Sequence, residues 1–350
     1  MRFSGSAVLA ALACQAATAP ILAQRAVSLV RVNSVQVVGR EAELGAIAMT
    51  RVGPQGNVYA ADYLNARVVA FSPEGRLLWT SGRKGRGPGE FQLPYRVDPR
   101  PDGGLLVLDA GTSEVTLLNA RGRFTARYRL PFRFDQPDAI VGLPDGHLVI
   151  SGTTFAEPRA RRYGIHRFRV SGAELKYVGS FGPLPRVRNP LVLQSWGAGS
   201  ATRAANGDLL YALRIPFEVH RFDPAGRPRE VVRYPFRTRG TPDDAETVVV
   251  TEKETTYSST DADVERPGAA FELPGGLLVV TRSSRDTRHW DFFRGGRYLG
   301  SQRIERDWGG VAGYDPARGF LWMAGTLDDE PVLRRLSITV AVPPSTRARE

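Results

Sequence analysis

The sequence predicts an all-β fold that is built from repeated four-stranded units. A turn signal that contains glycine, followed by a short apolar run, recurs six times, with its glycine at positions 56, 103, 146, 207, 275 and 319. In the first five units a second glycine turn follows further along the chain. Glycine between two apolar runs is typical of a hairpin, so each unit of about 45 residues contains two hairpins and four antiparallel strands.

The internal spacing of the units supports a ring of blades. In the first, second and fourth units an aromatic residue or Leu follows the turn glycine by 15 residues, and the second glycine follows it by 19. Four-stranded units of this length are the blades of a β-propeller, so we predict a six-bladed propeller. We expect its blades to begin near residues 47, 95, 138, 199, 268 and 310. The β-rich run at 27–38 predicts an outermost strand that pairs into the last blade and closes the ring.

The N-terminus predicts export. A charged start at Arg2 is followed by the short apolar run at 7–13 and an Ala-rich stretch, as in a secretory signal. We therefore expect a signal peptide over 1–24, the propeller over 25–342 and a tail over 343–350. The apolar run is too short to cross a membrane, so we predict no transmembrane helix. Cys14 is the only cysteine, and the sequence before it loosely resembles a bacterial lipobox, so a lipid-anchored form is the alternative to a free periplasmic or extracellular monomer.

The number and the distribution of charged residues bear on whether the protein binds nucleic acid. Lys and Arg number 47 against 36 Asp and Glu, which gives a net charge of +11. A protein that binds nucleic acid usually concentrates its basic residues on one element with interleaved aromatic residues. Here they are spread along the whole chain in short runs. We therefore predict a solvated basic surface and no nucleic-acid site.

Several segments resemble a known family. Residues 85–94 (GRGPGEFQLP) and 101–109 (PDGGLLVLD) resemble the NHL-repeat pattern of six-bladed propellers, and residues 59–62 (YAAD) with Asn65 and Arg67 resemble its continuation in the blade before. The resemblance is specific over about 50–125. Residues 265–300 also resemble the blades of exported bacterial six-bladed proteins. This resemblance implies the same fold.

Two long intervals between turn glycines predict insertions on one face. Intervals of 61 and 68 residues place them at about 183–204 and 237–268, each after a fourth strand. In a propeller the loops that leave the second and fourth strands share one face, and loops that exceed the needs of the fold often carry function. The second insertion is acidic and contains Asp243, Asp244, Glu246, Glu252, Glu254, Asp261, Asp263 and Glu265. The alternative is a solvated or helical insertion that plugs the mouth of the channel.

Our first functional hypothesis is a non-catalytic recognition module that binds a protein, peptide or glycan on this face. The candidate ligand-binding residues are Tyr63, Asn65, Arg67, Arg83, Lys84 and Arg86, together with the 237–268 insertion. The sequence contains no HExxH, GxSxG or P-loop pattern, and we predict no cofactor.

The alternative is a propeller lyase or hydrolase, similar to the propeller lactonases, that holds a divalent cation at the axis. Calcium, zinc or manganese would then be bound by side chains from several blades. The position six residues after each turn glycine carries a carboxylate in only two units, so Asp62 and Asp109 are the candidate ligands. His166 and His220 each stand two residues before a Phe of the predicted core, which indicates packed histidines rather than metal ligands.

Overall fold

The computed structural model describes residues 26–188, 192–236, 246–250, 255–259 and 264–341. The predicted signal peptide, the predicted tail and most of the acidic insertion lie outside the described residues. The described part contains 26 strands. They form four four-stranded antiparallel sheets, one separate hairpin, and an eight-stranded sheet in which a single parallel bridge between Arg129 and Glu174 joins two four-stranded antiparallel blades. The predicted propeller of four-stranded blades is confirmed.

The strands follow one another in chain order through the blades. The N-terminal strand is β1 (Val30–Val38). Blade 1 contains β2 (Ile47–Val52), β3 (Val58–Asp62), β4 (Arg67–Phe71) and β5 (Leu77–Ser81). Blade 2 contains β6 (Pro94–Pro99), β7 (Leu105–Asp109), β8 (Glu114–Leu118) and β9 (Phe124–Arg129). Blade 3 contains β10 (Gln136–Gly142), β11 (His147–Thr153), β12 (Ile165–Ser171) and β13 (Glu174–Phe181).

The second half of the chain repeats this order. The short helix α1 (Leu193–Trp196) precedes blade 4, which contains β14 (Gly199–Arg203), β15 (Leu209–Leu213), β16 (Glu218–Phe222) and β17 (Pro228–Arg233). A hairpin of β18 (Glu246–Val250) and β19 (Thr255–Ser259) precedes blade 5, which contains β20 (Arg266–Leu273), β21 (Leu277–Ser283), β22 (Arg288–Arg294) and β23 (Arg297–Ile304). Blade 6 contains β24 (Gly310–Asp315), β25 (Phe320–Leu327) and β26 (Glu330–Val340).

The N-terminal strand completes the last blade. β1 pairs antiparallel with β26, from Val30 opposite Val340 to Val38 opposite Leu333. The order in this sheet is β1-β26-β25-β24, so blade 6 takes its outermost strand from the other end of the chain. The predicted ring closure is confirmed.

The hydrophobic core lies between blades rather than in one central mass. Each pair of neighbouring blades shares a cluster of buried side chains, and six such clusters connect blade 1 to 2 and onward around to blade 6 and back to blade 1. The second strands β3, β7 and β15 are buried along their whole length, because a neighbouring blade covers each of their faces. This explains why they are almost continuous apolar runs.

The six repeated turn glycines adopt the backbone that the sequence predicted. They have φ between +68° and +87°, a region that is open to glycine and strained for most other residues. None of the helices in the described residues is long and apolar enough to cross a membrane.

His166 lies in the core of blade 3, as its register predicted. It is fully buried against the ring of Phe134. Its Nε2–H donates to the carbonyl of Gly152 (3.1 Å), and Nδ1 accepts from the Ser180 hydroxyl (2.8 Å). Burial lowers the pKa of His166 to about 4. The hydrogen bond to the Gly152 carbonyl raises the pKa, but this effect is weaker.

This shift predicts a loss of stability in mild acid. Between about pH 6.5 and pH 4 the unfolded chain protonates this histidine and the folded protein does not, so the free energy of unfolding decreases as the pH falls. We expect His166 to account for a decrease of about 2.5 kcal/mol between about pH 7.5 and pH 4.5. Urea unfolding of the wild type and of His166→Gln at both pH values measures it. An equal pH dependence in the two proteins would contradict this assignment.

Candidate functional site

Three buried aspartates show which loops meet at one end of the propeller. Asp62 ends β3 and accepts hydrogen bonds from the backbone of Gly45 and Ala46, ahead of blade 1 (both 3.2 Å). Asp109 ends β7 and accepts from the backbone of Gln92 (2.6 Å) and Leu93 (3.0 Å), ahead of blade 2. In each case the end of a second strand lies beside the connection that enters the blade. We call this end of the propeller, with its connections and second-strand turns, the long-loop face.

Asp138 makes the same type of contact further around the ring. It is buried near the start of β10 and accepts from the backbone of Ala198 (2.8 Å) and Gly199 (3.1 Å), ahead of blade 4. Arg214 also donates to it (2.8 Å). The carboxylate therefore anchors the connection between blades 3 and 4.

Asp62 organises two of the predicted ligand-binding residues. Asn65 Nδ2 and Arg67 Nε each donate to it at 2.9 Å, and Arg67 Nη2 also donates to the carbonyls of Ala42 (2.5 Å) and Glu43 (2.8 Å). Burial raises the pKa of Asp62, but these side-chain and backbone hydrogen bonds outweigh burial and lower the pKa below its usual value. Asn65 and Arg67 thus have a structural role that the sequence analysis did not foresee.

The two candidate metal ligands are both engaged by hydrogen bonds. Asp109 also accepts from the backbone of Gly111 (2.8 Å) and Thr112 (3.2 Å). These contacts account for the carboxylates of Asp62 and Asp109 without a cation. In the described ranges, no three His, Cys, Asp or Glu side chains are grouped so that they could hold a metal ion. An axial cation therefore stays a prediction.

The other predicted ligand-binding residues are exposed on the long-loop face. Tyr63 projects from the turn after β3 with 38% of its surface exposed, next to Leu64 with 67% exposed. Arg83, Lys84 and Arg86 are exposed in the connection between β5 and β6.

Glu90 and Arg127 fix the shape of this connection. Glu90 accepts from Arg83 Nε and from the backbone of Gly87 (both 2.8 Å). Arg127 on β9 donates to the carbonyls of Arg86, Gly87 and Glu90 (each 2.8 Å). In the described part of the chain the side chains of Lys84 and Arg86 make no hydrogen bond or ion pair. The backbone that carries them is fixed, and their charges are free to bind a partner.

A second exposed loop on this face was missed by the sequence analysis. It follows β11 in blade 3 and exposes Phe155 (38%) and Tyr163 (42%). The side chains of Arg159, Arg161 and Arg162 are exposed between them. A signal for this loop exists, because Phe168 follows the turn glycine of its unit by 22 residues, whereas Phe71 follows its own by 15. The extra residues form the loop.

The first predicted insertion packs onto the long-loop end of the fold. It contains α1, whose Trp196 is 1% exposed and packs with Val192 and Val264. The Arg266 guanidinium lies 4.0 Å from the centre of the Trp196 ring. Thr153 at the end of β11 donates to the carbonyl of Leu193 (3.3 Å). This insertion therefore covers part of the fold.

The second predicted insertion is described only in part. Its hairpin β18–β19 is defined, while Asp243, Asp244, Glu252, Glu254, Asp261 and Asp263 lie outside the described residues. Glu265 differs from the expected acidic lid, because it is 6% exposed and forms an ion pair with Arg282. Its charge is neutralised inside blade 5.

Comparison with curated proteins matches the repeat region. Human NHL repeat-containing protein 3 is 27% identical over 99 residues, and its mouse counterpart is 29% identical over 103 residues. The predicted resemblance to the NHL-repeat propellers is confirmed. These matches cover 27% and 28% of this NHL-like propeller, and 28% and 30% of the length of the relatives. No family model matches the chain.

Comparison with solved structures extends over the whole ring. A protein of Bacteroides fragilis that is described as exported has a TM-score of 0.58 and 11% identity, and the match covers 89% of this chain and 96% of that one. Virginiamycin B lyase of Staphylococcus aureus has a TM-score of 0.53 and 13% identity, with coverage of 87% and 99%. At these identities the likeness shows the fold alone. This NHL-like propeller therefore shares its fold with an enzyme as well as with a protein described only by export.

Proposed function

We propose that this NHL-like propeller is an exported recognition module, without catalytic activity, that binds an acidic partner on its long-loop face. The observation that carries the proposal is the group of exposed aromatic and cationic side chains on the loops of blades 1 to 3. Tyr63, Phe155 and Tyr163 supply aromatic surface there, and Tyr, Phe and Arg are enriched where proteins bind partners.

The charges on these loops favour an acidic protein, peptide or glycan. Lys84 and Arg86 are unpaired in the described part of the chain. In the loop after β11, Glu157 is followed by three exposed arginines, Arg159, Arg161 and Arg162. The two carboxylates in the same loops are engaged, since Glu90 binds Arg83 and Glu157 accepts from the backbone of Arg159 (3.1 Å). An excess of positive charge on the loops of blades 1 to 3 attracts acidic partners to that part of the face.

The predicted signal peptide and the likeness to a protein described as exported both support export. The lyase or hydrolase alternative is supported by the shared fold of virginiamycin B lyase. Its candidate metal ligands Asp62 and Asp109 are already satisfied by four or more hydrogen bonds each, so the geometry favours the binding module.

The proposal is tested by removing charge from one end of the propeller at a time. The double variant Lys84→Gln/Arg86→Gln removes two unpaired charges from the long-loop face. We expect its affinity for heparin and for poly-glutamate to fall by roughly 2- to 30-fold, since an exposed ion pair contributes about 0.2 to 1 kcal/mol. Isothermal titration calorimetry at several salt concentrations measures the affinity.

Arg121→Gln/Arg123→Gln is the matched control. Both arginines are exposed in the turn between β8 and β9, and this turn lies at the opposite end, where Ala120 approaches Gly103. The control changes the net charge equally and should bind like the wild type. Equal losses of affinity in the two variants would mean that net charge alone attracts these polymers. That result would contradict the assignment of the binding site to the long-loop face.

A further inference from the structure

A cavity of about 800 Å³ lies on the propeller axis at the end opposite the long-loop face. Its walls are the last residues of the innermost strands and the hairpin turns that follow them. Val52, Val141, Phe271 and Val311 give it apolar walls. A cavity of this size and lining is typical of a site for a small organic molecule.

One ion pair in the cavity wall is satisfied. Asp98 on β6 is 6% exposed and accepts from Arg203 Nη2 (2.8 Å) and from the backbone of Gly142 (2.9 Å). Arg203 also donates to the carbonyl of Gly142 (2.5 Å). This pair links blades 2, 3 and 4 and is neutral as a unit.

Glu272, the other carboxylate in the lining, is also engaged. Arg221 Nη2 lies 2.5 Å from its Oε1, and the backbone of Ala205 donates to its Oε2 (3.3 Å). Each carboxylate in the cavity wall therefore already has an arginine partner other than Arg51.

Arg51 in the same wall has no such partner. Among the described residues its guanidinium makes one long hydrogen bond, from Nη1 to the carbonyl of Thr50 (3.4 Å), and the buried Nη2 atom has no partner. Asp98 interacts with it electrostatically but is paired with Arg203. Burial lowers the pKa of Arg51 to about 10, although Asp98 raises it. The side chain is partly buried in the cavity wall, and a guanidinium there that has no carboxylate of its own among the described residues is available to bind an anion.

A second arginine adds to the positive charge near Arg51. Arg96 on β6 is 8% exposed, and its Nη1 donates to the carbonyls of Ala48 (3.2 Å) and Tyr95 (3.1 Å). Its Nε has no partner in the part of the chain that the structure describes. The charge of Arg96 lowers the pKa of Arg51 by repulsion. Arg96 in turn interacts electrostatically with Asp138 on β10.

We propose that this cavity binds a small organic anion, a carboxylate or phosphate group on an apolar body, with Arg51 as the anchor of the anionic group. Guanidinium forms paired, charge-assisted hydrogen bonds with both groups. The apolar walls receive the rest of the ligand. This site lies at the other end of the axis from the proposed partner surface and does not depend on it.

The test uses octanoate and phenyl phosphate as probes, with octanamide as the uncharged control. A ligand that binds only the folded state raises its melting temperature. We expect both anions, and not octanamide, to raise the Tm of the wild type. Arg51→Met keeps the aliphatic stem and should weaken binding of both anions by roughly 10- to 100-fold in calorimetric titration.

The ligand-free variant gives a second readout. Arg51→Met should melt at or above the temperature of the wild type, because it removes a partly buried guanidinium that has no carboxylate of its own among the described residues. A purely structural arginine would lower the Tm on removal. Arg31→Met, on the exposed side of β1, makes the same change in charge and should bind as the wild type does. If Arg51→Met does not fold, Arg51→Lys keeps the charge without the paired geometry and should bind phenyl phosphate more weakly.

Three results would overturn the proposal. Octanoate and phenyl phosphate at millimolar concentration could leave the Tm unchanged. The Arg51 variants could bind them as tightly as the wild type. Inorganic phosphate alone could produce the same shift as phenyl phosphate, which would assign the cavity to a free inorganic ion.

Discussion

Deletion of residues 26–38 is expected to open the ring and destabilise the whole propeller. This segment includes β1, whose pairing with β26 completes blade 6. Val30 is 1% exposed in the cluster between blades 5 and 6, and Gln302 of β23 binds its backbone N–H (3.2 Å) and carbonyl (2.7 Å). We expect the free energy of unfolding to fall by about 4 kcal/mol or more from lost apolar burial and lost strand pairing.

The deletion also leaves an unpaired strand edge on β26, which promotes edge-to-edge association. Urea unfolding and size-exclusion chromatography measure the two effects. Val30→Ser and the control Val35→Ser make the same change at a buried and at an exposed position of β1. Val35 has 41% of its surface exposed and should tolerate the change, whereas Val30→Ser should destabilise the protein. An unchanged unfolding midpoint in the deletion variant would show that the ring holds without β1.

Arg282→Met is expected to be the most damaging single substitution. Arg282 is 2% exposed and forms an ion pair with Glu265 and a two-pronged one with Asp291, at 2.7 Å from Nε and 3.1 Å from Nη2. Tyr234 also donates to Asp291 (3.0 Å). Removing the guanidinium leaves the buried carboxylates of Glu265 and Asp291 without this balancing cation. Breaking a buried ion pair in this way lowers the free energy of unfolding by about 3 to 5 kcal/mol. Urea unfolding of the wild type and of Arg282→Met at about pH 7.5 measures this loss of stability.

Arg76→Met is the control for Arg282→Met. Arg76 is exposed and lies 3.9 Å from Glu74, whose side chain is also exposed, so its loss should change stability by no more than about 0.5 kcal/mol. A similarly small effect of Arg282→Met would contradict the role assigned to this buried arginine.

The sequence by itself determined the blade architecture, because the signals for it are local. A hairpin needs a glycine at positive φ between two apolar runs, and Gly56 and Gly103 show that requirement in adjacent units at regular spacing. The sequence also predicted that an N-terminal strand closes the ring, because the β-rich run at 27–38 precedes the first four-stranded unit and is not needed to complete it. The exposed positions of Tyr63 and Lys84 also follow from the repeat, since turns and connections lie at the surface.

Only the tertiary structure decided which charged side chains are engaged and which are not. Asp62 and Asn65 looked available in the sequence but bind each other at 2.9 Å, together with backbone brought from the preceding connection. Asp98 meets Arg203 across 105 residues of sequence, and this pairing leaves Arg51 without a carboxylate of its own among the described residues. Contacts of this kind depend on how separate blades pack around the axis. Local spacing sets the strands, but charge pairing is a property of the closed ring.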